Sequence, residues 1–535
     1  MYNSNLRSRL INLLSSFIEY LGSNRVFFIY AILLITLLSG NIAWHYWNIS
    51  QESDVGCFMA IGNDIRHGKL LYSEVWDNKA PGIFFLHAFF QTITSGNIHY
   101  PALFTAFFSA SFMLFLSIMV MKLIQNPIRY ILLPFGFSVI YLTIFQWEYF
   151  FESGFTEQIG AYFLYMGFVL ALVLLNHSNR KGEKVLNAGF VLSGISIGAA
   201  FLIKEPFVFS YLAIILIFLI SKNPLKWKWF AWMNAGMAIF PFLFLVYLLW
   251  NSIFIDYLKY VQFAFEYSDK GMEQPFMSQL KNTLNIQLEN LNSDEPYLLN
   301  VFEFSGILLL VNLISFKNTS NFQYRNFHIG LMAILLCQIP FFMISGDVVY
   351  NHYFIPLLMG LAVIPTCLGV VYLLRFEQQM KTTIGVLFAY LLVLVGYRCF
   401  KEQIQPFRGK SLTVDQETQI LEEKGLANTH CYIDDQSAGR FYYYLDANSD
   451  LPFPCPYYVY FLFPENEKGY EIIRQNNERF QREFRKNPPQ FILSKQKLSI
   501  AFDYNQFHQF VNANYQITDS LIINQTTYFV RKRNQ

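Results

Sequence analysis

Residues 50–85 read "SQESDVGCFMAIGNDIRHGKLLYSEVWDNKAPGIFF" and carry eight charged side chains. They follow an apolar run, 26–47, long enough to cross a bilayer core, which takes about 20 residues of helix. Charge so close to a span belongs to a loop held against the membrane surface. Val55, Phe58, Met59 and Ile65 recur at helical spacing, with Asp54 placed to open the helix as an N-cap and Gly62 expected to interrupt it. Pro81 cannot continue a helix from "WDNKA" because it lacks the N–H and its ring clashes with the preceding turn. "IFFLHAFF" at 83–90 is too short to span, so it is expected to lie in the interface.

The rest of the chain fits that picture. Of its 535 residues 54% are hydrophobic and 14% charged, against about 25% charged in soluble domains, which points to a polytopic membrane protein. A net charge of +2 and the lack of a basic tract exclude nucleic acid as a partner. No short apolar segment with a small-residue cleavage site opens the chain, so the first run is expected to remain as a signal anchor. Eleven candidate spans follow from length and apolarity: 26–47, 99–121, 128–146, 157–176, 187–203, 206–221, 230–250, 300–315, 327–345, 351–374 and 382–400. The fifth and sixth are separated only by "KEP", which makes them either a tight hairpin or one broken helix.

Orientation follows from the bias of Lys and Arg toward cytoplasmic loops. With the N-terminus inside, the inner segments hold fifteen Lys/Arg against three Asp/Glu, and the outer loops six against sixteen. Trp44 and Trp47 at one end of the first span, and Trp227 and Trp229 before the seventh, suit interfacial belts. The expected division is a membrane domain at 1–400, with an outer first loop at 48–98, and a polar extracytoplasmic domain at 401–535. In that tail "HCYIDD", "PQFILS" and "TTYFVRKR" read as strands and "ENEKGYEIIRQNNERFQREFRKN" as a helix, a small α/β unit. Six cysteines show no ligand spacing; Cys337 and Cys367 read as core hydrophobes, and Cys431 and Cys455 as a pair if the tail faces an oxidising compartment.

Asp54, Gly56, Phe58, Ala60, Ile65, Gly68, Tyr72, Trp76, Asp77, Lys79, Pro81 and Gly82 together form a pattern. It resembles the first-loop signature of GT-C fold membrane glycosyltransferases, most closely the bacterial group of protein mannosyltransferases, lipid A aminoarabinose transferases and RgtA/B/C/D-like enzymes. Ala80 departs from it, standing where a first proline is common. The span count, an acidic second outer loop, a Lys after the fifth span, an outer "HY" before the tenth and an outer α/β tail also have counterparts there. The resemblance covers nearly the whole chain, but its specificity lies in 54–82.

What the resemblance implies is a multi-pass protein of the bacterial inner membrane that moves a hexosyl or pentosyl group from a polyprenyl-phosphate donor to an extracytoplasmic lipid, glycan or protein. Asp54 holds the position of the base that accepts the acceptor hydroxyl's proton. Lys79, then Lys204 and His352, are placed to stabilise the departing phosphate. Glu157, an ionisable group at the top of the fourth span, matches the second-loop acidic position, for acceptor binding or a divalent metal shared with Asp54. Asp77 is expected to orient the loop, and Tyr353, Trp76 and Tyr72 to contact substrate or anchor in the interface. Each has a plainer reading: Asp54 a helix cap, Asp77 and Lys79 a mutual pair, Lys204 and Glu205 an ion pair at a helix break. Loop 251–299 is expected to fold over the site, while Glu52, Glu148 and Glu152 read as solvated charge and Arg440 with Asp434 and Asp435 as surface or capping residues.

Three alternatives stand beside this one. A polysaccharide polymerase or ligase would rely on an arginine-rich outer loop, and 251–299 contains no Arg. A transporter or flippase would bury charge or break helices near mid-bilayer, where only "KEP" hints at such a feature. A catalytically silent scaffold of the same fold would tolerate loss of the Asp54 carboxylate.

Overall fold

The protein is described from a computed structural model. It covers residues 24–47, 53–123, 154–176, 182–271, 322–338, 412–427, 429–435, 439–447, 470–495, 504–523 and 526–534, with positions 278, 281 and 451 and parts of 353–360. The expected spans 128–146, 300–315 and 382–400, most of 351–374, and the candidate His352 lie outside the described residues, as do Glu52, Glu148 and Glu152.

The membrane part begins with α1 (Asn24–Trp47), α2 (Ser53–Arg66), α3 (Pro81–Ile93) and α4 (Tyr100–Leu123). It continues with α5 (Thr156–Asn176), α6 (Glu183–Ile203), a 3₁₀ turn (Glu205–Ser210), α7 (Tyr211–Ile220) and α8 (Lys226–Trp250). After these come α9 (Phe254–Gly271) and α10 (Phe322–Leu336). Among the described residues α5, α6 and α8 are long and apolar enough to cross a membrane. Their apolar stretches are buried to very different extents, 78% for α5 and 22% for α8, so α5 runs through the centre and α8 along the rim.

Small residues set how closely these helices approach. A Cβ on Gly194 of α6 would run into the backbone of α8 at Met233, the close contact that small residues permit between membrane helices. Gly82, at the start of α3, lies so near Leu202 that an added Cβ would come within 2.7 Å of its carbonyl oxygen. That approach seats the end of the first loop on the end of α6, next to Lys204. Pro81 is the first residue of α3, where its missing N–H costs nothing and its fixed φ suits a helix start.

The tail contributes α11 (Val414–Glu423), β1 (Cys431–Asp434), α12 (Arg440–Tyr444), α13 (Tyr470–Lys486), β2 (Phe491–Ser494), α14 (Tyr504–Asn514), β3 (Tyr515–Ile523) and β4 (Thr526–Arg533). The strands form one sheet in the order β1-β2-β4-β3, with β1 parallel to β2 and the other pairs antiparallel. The tail sits against the first loop: α12 packs on α2, and the Tyr443 hydroxyl donates to the Asn97 carbonyl at 2.8 Å. First loop and tail therefore share one side of the molecule.

Several sequence expectations need correction. Gly62 does not interrupt α2, which runs through it; the missing side chain instead makes room for His87, whose Cβ would sit 2.8 Å from a Cβ there. Trp229 is buried and stacks on Phe190 at 5.4 Å, so it belongs to the core and not to an interfacial belt. Arg440 is buried with Glu417, its Nε 2.9 Å from Oε2, and Asp434 is fully buried, so neither is a surface residue. Cys431 is buried and free, which rules out its pairing with Cys455, whereas Cys57 carries a disulfide.

Candidate active site

Asp54 lies in the first turn of α2 and Lys79 just before α3, and the fold of the loop between them brings the two together. Lys79 Nζ is 3.3 Å from Asp54 Oδ2, and both side chains keep partial access to solvent. Asp54 is thus inside its helix, where a carboxylate also benefits from the positive end of the helix dipole. The plainer pairing of Asp77 with Lys79 occurs through the backbone: the Lys79 N–H donates to Asp77 Oδ1 at 3.0 Å. This leaves the Lys79 ammonium to reach Asp54.

Tyr72 holds this loop from within. Its φ of 69° puts a bulky side chain in the left-handed region, a conformation that costs energy and persists only where its surroundings impose it. Here the Tyr72 hydroxyl donates to the Lys79 carbonyl at 2.8 Å, and its ring stacks on Tyr260 of α9 at 4.5 Å. The Tyr260 hydroxyl in turn donates to Glu205. Trp76 meets Phe263 edge to face at 5.3 Å. Tyr72 and Trp76 are both buried, so neither is an interfacial anchor. The part of loop 251–299 that forms α9 does lie over the first loop, as expected.

Asp77 is buried beneath this wall. Burial pushes its carboxyl up to about 7; the Lys79 ammonium opposes that rise, and the negative charge of Asp54 adds to it. Deeper still, burial pushes the His87 imidazole down to about 3. His87 is therefore neutral, its Nδ1 2.5 Å from the Tyr100 hydroxyl, which also accepts from Gln91 at 3.0 Å.

A second ion pair forms the floor. Lys204 Nζ is 2.8 Å from Glu157 Oε1, and both side chains are at least nine-tenths buried. Thr156 donates to the other carboxylate oxygen at 2.8 Å. "KEP" marks a reversal of the chain, the hairpin alternative, and not one broken helix: Lys204 is extended, at φ −152° and ψ 119°, and ends α6 before the 3₁₀ turn, and Phe218 of α7 returns to within 5.7 Å of Phe190 of α6. That extended residue sends Lys204 toward Glu157 and Glu205 toward Tyr260, so the expected Lys204–Glu205 pair does not form its closest contact. Tyr353 presents its ring to Lys204 Nζ at 5.1 Å, within cation–π range.

Lys79 and Lys204 are near enough for their charges to repel. Beside them opens an apolar cavity of about 310 Å³, lined among others by Gly82, Leu202, Ile203, Phe244 and Tyr247. Gly82 lies three residues beyond Lys79, and Ile203 immediately precedes Lys204. The Tyr247 hydroxyl at its rim accepts from the Leu71 N–H at 3.1 Å, tying cavity and loop together.

Of the residues singled out from sequence, Asp54, Asp77, Lys79, Trp76, Glu157, Lys204 and Tyr353 converge on one region. Sequence reasoning does not reach Tyr257 and Tyr260, and it takes Glu205 only as the partner of Lys204. Tyr257, Tyr260 and Phe263 recur every third residue within "DYLKYVQFAFEY", one face of a helix, which was the available signal. Asp54 and Glu157 each face a lysine, and among the described residues no three of His, Cys, Asp and Glu gather as metal ligands would. The described residues thus do not fit a divalent ion.

A bundle of apolar helices, a charged first loop and a small sheet domain docked on that loop make up a GT-C-like fold. Among the solved structures it is similar to are two of ArnT from Cupriavidus metallidurans. In the apo state the TM-score is 0.56 at 10% identity, over 94% of this chain and 97% of that one. Bound to undecaprenyl phosphate it is 0.56 at 11% identity, over 96% and 98%. No family model and no curated protein matches the chain in sequence.

Proposed function

We propose that the chain is an integral-membrane glycosyltransferase that takes a sugar from a polyprenyl-phosphate carrier and passes it to an extracytoplasmic acceptor. The observation that carries this reading is a pair of lysines near enough to repel, Lys79 and Lys204, with an accessible carboxylate, Asp54, against Lys79, and an apolar cavity lined by Gly82 and Ile203, their near neighbours along the chain. Two cations held close together favour an anion between them, and an apolar cavity next to them suits a lipid chain. One molecule that has both is a polyprenyl phosphate, the ligand bound in the ArnT structure of the same fold.

In the proposed step the acceptor oxygen attacks the sugar's anomeric carbon as the bond from that carbon to the phosphate oxygen breaks. The acceptor's proton passes to Asp54, acting as general base. The electron pair leaves with the polyprenyl phosphate, whose growing negative charge Lys79 and Lys204 stabilise in a site poor in water. Attack opposite the leaving group inverts the anomeric centre. Tyr72, through the Lys79 carbonyl, and Tyr260 with Glu205 behind it, hold the lysine in place. Glu157 keeps Lys204 charged and directed toward the site.

We further propose the division into a membrane domain at 1–400 and an extracytoplasmic domain at 401–535, and a place in the bacterial inner membrane with the N-terminus inside. The charge bias of the loops supports this orientation.

Mass spectrometry of cell-envelope lipids, glycans and glycoproteins from cells with and without the protein tests the reading. A loss of one sugar from one acceptor class is expected, and it identifies donor and acceptor together. An unchanged envelope, with purified protein that binds no polyprenyl phosphate, overturns it. Binding of the carrier without any change in glycosylation favours a carrier flippase instead.

A further inference from the structure

The turn that carries Tyr72 is braced from the far end of the chain. Within residues 70–75 the Tyr72 N–H donates to the Val75 carbonyl at 2.6 Å, and the Glu74 and Val75 N–H groups donate to the Leu70 carbonyl at 2.8 and 3.2 Å. Glu74 Oε2 accepts from the Leu70 N–H at 2.7 Å. None of these bonds uses the Ser73 carbonyl, which accepts instead from Arg479 Nη2 of α13 in the tail, 406 positions away. Arg479 is half-buried there. Burial of the guanidinium works against its charge, whereas the carboxylates of Asp256, Glu483 and Glu74 favour it and Arg482 opposes them. Glu483 and Arg482 lie on α13 itself, but Glu74 belongs to the first loop and Asp256 to α9.

We propose that Arg479 is a positioning residue: from the C-terminal domain it clamps the Tyr72 turn to α9, and through Tyr72 it sets the place of Lys79. This rests on the reading of Lys79 as a contact to the carrier phosphate. Ser73 and Glu74 directly follow Tyr72, and Asp256 stands about one helical turn before Tyr260, on which the Tyr72 ring stacks at 4.5 Å. The Tyr72 hydroxyl donates to the Lys79 carbonyl at 2.8 Å. Tyr72 sits at a φ of 69°, which persists only where its surroundings impose it. Its relaxation to negative φ would swing the residues that follow, Ser73 first. A hydrogen bond from a charged guanidinium, stronger than a neutral one, resists that swing.

The clamp has a firm base. Phe480, next to Arg479, and Phe484 pack on Tyr432 of β1 at 5.2 and 5.6 Å, and Phe484 meets Phe507 of α14 edge to face at 5.0 Å. α13 is thereby fixed to the sheet, and a side chain held by a rigid element positions more exactly than one on a loop. Arg474, on the same helix, is engaged by Glu471 and Glu478 and does not share the task. Docking of the tail therefore supports the site itself.

Hydrogen exchange of the full-length protein in detergent, wild type against Arg479→Ala, tests the clamp without any ligand. Residues 70–79 should exchange roughly tenfold faster in the variant, while α11 and the β3–β4 hairpin keep their protection. Arg474→Ala should leave all three unchanged. Affinity for undecaprenyl phosphate, read by ligand-induced thermal shift, should fall roughly tenfold in Arg479→Ala. Adding Arg479→Ala to Tyr72→Phe should weaken binding by less than the product of the two separate losses, because both act through Lys79. If the hairpin also loosens in Arg479→Ala, Asp256→Asn, which leaves the tail untouched, must speed exchange at 70–79 by itself. Unchanged exchange at 70–79 in a folded variant, or losses of affinity that simply multiply, overturns the inference. A wild type that binds no undecaprenyl phosphate overturns the glycosyltransferase reading instead, and the exchange measurement still decides the role of Arg479.

Discussion

The site contains two lysine–carboxylate pairs that look alike in sequence and differ in physics. Asp54 and Lys79 meet at the mouth, 3.3 Å apart and 29% and 16% exposed. Glu157 and Lys204 meet at the floor, 2.8 Å apart and 1% and 9% exposed. A partly wet pair contributes little to stability and separates easily. A dry pair has given up its hydration, so loss of one partner strands the other's charge. The mouth pair is suited to exchange its partner for substrate, and the floor pair to stay fixed while that happens.

The sharpest test of this contrast is Asp54→Asn. It keeps the shape of the side chain but removes the proposed base, and transfer should fall about 10²–10⁴-fold while carrier binding and folding persist. A single-turnover assay with the donor named by the envelope analysis measures it; retained transfer would end the case for Asp54 as base. At the floor, Glu157→Gln should cost about 3–5 kcal/mol, measured by denaturant or thermal unfolding in detergent. The double variant Glu157→Gln/Lys204→Met should recover much of that loss. If the single variant unfolds like wild type, the two pairs are not different in kind.

Lys79→Ala should move stability by no more than about 1 kcal/mol yet weaken binding of polyprenyl phosphate roughly tenfold, as read by ligand-induced thermal shift. Equal effects on stability and binding would erase the distinction between mouth and floor. The smallest effect concerns Asp77. Its folded carboxyl titrates at about 7, above its ordinary value. Between the two values the folded state holds a proton that the unfolded state has lost, so this group's contribution to stability declines as pH rises through about 7. Asp77→Asn removes that decline, and its Tm should exceed wild type by roughly 2–4 °C near pH 8, with the gap closing toward pH 5. A gap that is constant with pH would mean that Asp77 is already ionised in the fold.

Much of this was legible along the chain because membranes impose simple rules. Apolar runs of fixed length gave α1, α4, α5, α6 and α8 near their observed ends. The strand at "TTYFVRKR" matches β4 residue for residue. β3 escaped notice because its alternation is weak and most of its residues are exposed. Arg440 was misread since a charged residue is ordinarily a surface residue, and nothing local announces that Glu417, 23 positions earlier, will be buried against it.

The sequence by itself determined that this protein spans a membrane and that a charged loop follows its first crossing, because both depend on neighbouring residues and their fit to lipid or water. It also put Asp54 and Lys79 on that loop. Only the tertiary structure decided which charges meet. The Lys204–Glu157 pair, the Tyr260–Glu205 bond and the Tyr443–Asn97 bond that seats the tail on the first loop join residues dozens to hundreds of positions apart. Such contacts are selected by packing, through the room left at Gly82 and the extended turn at Lys204, and no local pattern encodes them.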